Sequence, residues 1–125
     1  KVRTITVQCV PLSDYLREPV DFLKLDIEGA EGEMFAEIAD CLHHVNYIFC
    51  EFHQGGGTGS AGLVRILGLL EAAGFEVQVA KSSNFQATSE KRPFMHFDGA
   101  ASIVIHARNR RIGRDQLLAD SASPP

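Results

Sequence analysis

Val20-Asp21-Phe22-Leu23-Lys24-Leu25-Asp26-Ile27-Glu28-Gly29-Ala30-Glu31 is the stretch that decides the fold. Its residues up to Glu28 are apolar enough to predict a strand buried on both faces. Gly29 breaks that strand. A helix is expected from about Glu31 to His43, because Ala30, Met34, Ile38 and Leu42 recur every fourth position with Phe35 beside them. Strand, glycine turn and helix in this order open an α/β unit.

Reading downstream, Tyr47-Ile48-Phe49-Cys50-Glu51-Phe52 predicts a further strand running into His53-Gln54-Gly55-Gly56-Gly57-Thr58-Gly59. Leu63, Ile66, Leu67 and Leu70 trace one face of a second helix, which closes at Gly74 in the position favoured after a helix end. Phe75 to Ala80 alternates as a strand, and Ser102 to Ala107 forms the last one. No helical period separates those two, so an antiparallel pair at one edge is expected. Residues 81–100 between them form a long connection of the kind that is functional or mobile. Upstream, Ile5 to Val10 alternates as a half-buried strand ended by Pro11, and Ser13 is placed to cap a short helix through Leu16.

The expected architecture is therefore a single α/β domain over residues 1–107, with a mainly parallel sheet and an antiparallel edge strand. Residues 108–125 are expected to form a basic, then polar tail, partly disordered. Arg108, Arg110, Arg111 and Arg114 in that tail read as a solvated face.

With 125 residues, 45% of them apolar, the chain can build one core. A formal net charge of −4 argues against nucleic acid or an anionic membrane as partner. No apolar run approaches the ~20 residues of a membrane span. The first residues lack the long apolar core of a signal peptide. Cys9, Cys41 and Cys50 are too far apart for a CxxC motif and odd in number, so they are expected to be reduced and mostly buried in a cytoplasmic protein.

Ligands of open α/β sheets bind beyond the carboxyl ends of the strands. That places Asp26, Glu28 and Glu31 after one strand and Glu51 and His53 at the end of the next. If the two strands are neighbours, the acids and the imidazole converge within about one strand spacing, ~5 Å. Such a cluster accepts a proton from a hydroxyl or holds a divalent cation that acidifies it. The structural alternatives are ordinary ones. Glu28 and Glu31 suit the N-terminus of the following helix, and Lys24 reads as the structural ion-pair partner of Asp26 or a nearby acid. His43 and His44 suit a helix C-terminus, and the glycine run is read as a flexible active-site loop or a linker rather than a phosphate cradle.

Residues 20–31 closely resemble the "vDflKiDvEGaE" signature of FkbM-type methyltransferases. Val10-Pro11-Leu12-Ser13-Asp14-Tyr15-Leu16 is similar to that family's "v.tLddll" segment, Ile48-Phe49-Cys50-Glu51-Phe52-His53 to its "i.vEvH" strand, and Leu67 to Phe75 to its "l..lGF.v" segment. The resemblance implies a Rossmann-like class I methyltransferase fold, S-adenosylmethionine as methyl donor, and transfer to a hydroxyl of a sugar or other small molecule. By position Asp26, Glu28 and Glu31 match that family's acidic signature, and Glu51 and His53 match the strand after it; on this reading the catalytic set is Asp26, Glu28, Glu51 and His53, with Asp26 or His53 as the base and Glu28, Glu31 and Glu51 positioning substrate or a cation. His96, in the long connection with Phe85, Phe94 and Asp98, is a further substrate-binding candidate, and Asp26, Glu28 and His53 form the candidate metal set.

In that family the cofactor is held mainly by a glycine-rich turn and an acidic strand end that precede the matched region. The chain is accordingly expected to be the C-terminal part of such a domain, with no cofactor-binding residue of its own and no activity in isolation. A homodimer through Asp21–Glu28 or Ile5–Val10 is expected to cover the strand edge left open. Two rival functions stand beside it: a non-catalytic truncated module acting through homo-oligomer assembly, and a metal-dependent hydrolase that uses the same acids and His.

Overall fold

The computed structural model describes residues 3–53, 59–81 and 102–112. Its elements in chain order are β1 (Val20–Leu25), α1 (Glu31–Glu37), β2 (Val45–His53), α2 (Gly59–Ala72), β3 (Phe75–Lys81) and β4 (Ser102–Asn109). Short 3₁₀ turns cover Leu12–Tyr15 and Ala39–His44. The strands form one sheet in the order β1-β2-β4-β3.

β1 and β2 pair in parallel, while β4 runs antiparallel to both β2 and β3. Three described strands therefore share a direction, and the reversed strand sits inside the sheet. The expected antiparallel pairing of β3 with β4 at one edge is present, but the expectation of a mainly parallel sheet is corrected: of three pairings among the described strands one is parallel, β4 lies inside, and the edges are β1 and β3. The physical reason lies in the α2 connection. It carries the chain past one strand position, and β4 fills the gap between β2 and β3 through ladders on both sides. Alternation within a strand carries no information about which strand lies beside it.

The core lies on one face of the sheet. Leu25, Ile48, Cys50, Phe52, Phe75, Ile105 and Ala107 are buried there with Phe35, Ile38 and Leu42 after β1 and Ile66 and Leu70 of α2. On the other face Phe22 and Tyr47 are exposed, and His106 meets Phe49 edge-on with ring centroids 5.3 Å apart. β1 consequently departs from its expected burial on both faces: among its residues only Leu25 is fully buried. An apolar run reports that a strand tends to be covered, not which chain covers it.

Three further differences are local. Ile5–Val10 joins no ladder among the described residues, and Ile5, Val7 and Val10 are exposed there. Its alternation has the period of a strand, but a strand forms only where a neighbour accepts its hydrogen bonds. The helix expected to reach His43 stops at Glu37 and tightens into the 3₁₀ turn; Leu42 stays buried, so the apolar stripe survives the change of winding. Ser13 caps nothing. Pro11 precedes that turn, and Ser13 instead binds the Glu37 carboxylate through both its hydroxyl and its backbone N–H.

The last strand runs to Asn109, two residues beyond the alternating stretch. Asn109 is buried, donates to the carbonyl of Val45 at 3.1 Å and accepts the Arg111 N–H at 3.0 Å. Arg108, assigned to a solvated tail from the sequence, pairs across the sheet with Glu76. Gly74 adopts φ +90, the left-handed conformation its place after α2 requires, with the Arg111 guanidinium stem against it.

Phe35→Ala is expected to cost about 3–5 kcal/mol in urea unfolding, since the ring is fully buried at the joint of α1 with the sheet. Asn109→Ala should cost about 1–3 kcal/mol by leaving the Val45 carbonyl without its partner. Unfolding midpoints unchanged in both variants would contradict this packing.

Candidate active site

The parallel register Val20↔Val45 through Leu25↔Cys50 brings the carboxyl ends of β1 and β2 to the same rim. Asp26 follows the last paired residue of β1 and accepts Lys24 Nζ at 3.0 Å, the ion pair expected for that lysine. The chain then turns through Glu28 at φ 54 and Gly29 at φ 109. Glycine takes that conformation freely, whereas at Glu28 it costs roughly 1–2 kcal/mol. This turn aims the Gly29 N–H back at Glu31, which is the first residue of α1: Gly29 donates to Glu31 Oε1 at 3.1 Å.

Glu31 is fully buried, and its Oε1 lies 2.9 Å from Nδ1 of His53, the last residue of β2. Nε2 of the same ring lies 3.5 Å from Glu28 Oε2. Asp26, Glu28 and His53 each offer a ligand atom within 4.8 Å of the others. Glu51 stands two residues before His53, on the same face of β2.

Burial pushes the Glu31 carboxyl upward, but the hydrogen bonds from His53, Gly29 and the backbone outweigh it, and its pKa ends below the usual 4.5. His53 is raised above its usual 6.5, first by the hydrogen bond to Glu31, against partial desolvation, and then by the charges of Glu28, Glu31 and Glu51. Each partner thus stabilises the charged form of the other. Cys50, beside them in the core, is pushed up to about 12 by burial and by the charges of Glu31, Asp26 and Glu51, so its thiol is inert at neutral pH.

The structure therefore gathers Asp26, Glu28, Glu31 and His53 at one rim and puts Glu51 on the strand leading into it. Glu31, expected to contact substrate, is fully buried and instead holds the His53 ring. Its spacing from Gly29 hinted at a helix-start contact but not at the imidazole across the strand gap. His96 and residues 54–58 of the glycine run lie outside the described residues. Among the described residues, a groove of about 440 Å³ opens on the sheet face opposite the helices, between Phe22, Tyr47, Gln78, His106 and Arg108. Tyr47 is six residues before His53, roughly 20 Å along the strand, so this groove is separate from the acid cluster.

A family model for the methyltransferase FkbM domain matches residues 1–77. The chain belongs to the FkbM methyltransferase family. No curated protein and no solved structure gives a significant match. The stretch matched to the FkbM domain takes in β1, α1, β2 and α2, and so every residue of the rim cluster. Among the described residues of this FkbM domain no helix is long and apolar enough to cross a membrane. Its cysteines are unpaired, but only Cys50 is buried; Cys41 is half-buried and Cys9 exposed, against the expectation of mostly buried thiols.

The two pKa shifts define a pH window. Stability from Glu31 is present above about pH 4.5 and is lost as pH falls through its lowered pKa. Stability from His53 is complete below about pH 6.5 and is lost as pH rises through its raised pKa. The melting-temperature difference between the wild type and His53→Gln should be largest between these limits and shrink on both sides. A difference that stays flat from about pH 4 to about pH 9 would remove the ion pair from the account.

Proposed function

We propose that this domain serves an S-adenosylmethionine-dependent methyltransferase that methylates a hydroxyl of a sugar or other small molecule, with His53 as the general base. The observation that carries this reading is the 2.9 Å contact between buried Glu31 and His53 Nδ1. An ionised carboxylate on Nδ1 selects the tautomer whose Nε2 lone pair points away from it, toward the rim. An acceptor hydroxyl at the rim then gives its proton to Nε2, and the buried carboxylate stabilises the imidazolium that forms. Asp26 and Glu28, both exposed, are placed to accept hydrogen bonds from neighbouring hydroxyls of the acceptor and so orient it.

S-adenosylmethionine supplies a methyl group activated on a positively charged sulfonium. The rim suits that end of the cofactor, because its charged groups are mainly carboxylates. Asp26 and Glu28 are the residues that would face the sulfonium. We also place the protein in the cytoplasm, a reading supported by its three free cysteines.

In the protein that carries this domain, His53→Gln is expected to slow methyl transfer about 10²–10⁴-fold while cofactor affinity, measured by calorimetry, stays within about twofold. Glu31→Gln should shift the acid limb of the pH–rate profile to lower pH, because the imidazole loses the carboxylate that raises it. Wild-type turnover in His53→Gln would overturn the assignment of the base.

A further inference from the structure

We propose that two copies of this chain exchange arms: residues 3–10 of each copy add as a strand to the open edge of β1 in the other. Both halves of that ladder are present in one chain and unmet within it. Among the described strands β1 has a neighbour on one side only, β2. Residues 3–11 are exposed without exception, and among the described residues no backbone hydrogen bond ties them to the rest of the chain. An open sheet edge is normally covered, and adding a strand is how such an edge binds an extended segment.

Length and pattern match. Ile5–Val10 is as long as β1, which has six residues. Alternation puts Ile5, Val7 and Cys9 on one side of the arm and Thr4, Thr6 and Gln8 on the other. On β1 the same rule puts Val20 and Lys24 on the face of Phe22, which stands beside Tyr47 on the side away from the helices. With the arm antiparallel and Val7 opposite Phe22, Ile5 lies against the Lys24 stem and Cys9 stands opposite Val20. Gln8 meets Asp21 on the other face. Arg3 comes level with Asp26, so opposite charges close the end of the ladder. Ile5, Val7 and Phe22 are 71%, 68% and 59% exposed, and this placement takes all three out of water together.

The donor is a second copy because the chain's own arm is held away from the edge. Between the arm and β1, Leu16 is buried and Ser13 is bound to the Glu37 carboxylate, and from that anchor the arm forms no ladder with β1. A twofold axis repeats the exchange, so every contact occurs twice.

Neither the arm nor β1 carries the proposed base, so the dimer and the methyl-transfer reading stand or fall separately. Sedimentation velocity of the full chain at about 100 μM is expected to give twice the chain mass. Val7→Pro removes a ladder donor from an exposed segment, so it should keep the wild-type circular dichroism and weaken dimerisation at least about tenfold. Val64→Lys, on the exposed surface of α2, should dimerise as wild type does. Opposite residues of antiparallel strands lie within disulfide reach. Mild oxidation of Val20→Cys should therefore join two chains through Cys9, and adding Cys9→Ser should abolish the link. A wild-type mass of one chain, wild-type dimerisation by Val7→Pro, or oxidised Val20→Cys that stays at the mass of one chain would overturn the arm exchange.

Discussion

The parallel ladder between β1 and β2 is the constraint on which the site depends. Because the two strands run the same way in a fixed register, Leu25 beside Cys50, their carboxyl ends leave the sheet at one rim. An antiparallel pairing would put Asp26 and His53 at opposite ends. With the ladder as it is, the short turn through Glu28 and Gly29 suffices to return Glu31 beneath the end of β2.

Burying a glutamate without a charged partner would neutralise it. Here the sum runs the other way: hydrogen bonds from the imidazole and from backbone N–H groups exceed the desolvation penalty, and the carboxyl stays ionised. Proximity to the first turn of α1 also favours an anion, so the structural and catalytic readings of Glu31 are complementary. A helix-start role alone needs no imidazole, whereas here the carboxylate also holds the His53 ring.

Among the described residues, helices cover one face of the sheet only. Phe22 and Tyr47 on the other face, together with the outer edge of β1, present apolar surface that a sheet of this kind normally shields. The helix-covered face supplies the stability, as its buried side chains show. The rim supplies the chemistry, and strain is stored there, at Glu28, rather than in the core.

Periodicity and turn chemistry made much of this legible from the residues alone. Gly29 and Gly74 marked the two turns that require positive φ, the apolar stripes of α1 and α2 marked their buried faces, and the acids and His53 stood at strand ends where ligands bind. Local sequence governs such features, because they depend on neighbours a few positions apart. What it left open were matters of distant partners: that Ile5–Val10 pairs with nothing described, that β4 enters between β2 and β3, and that Glu31 turns inward to His53 across a separation of 22 residues. Those were decided by the tertiary structure, since hydrogen bonds and burial between remote segments depend on which strands become neighbours, and no periodicity within a segment encodes that choice.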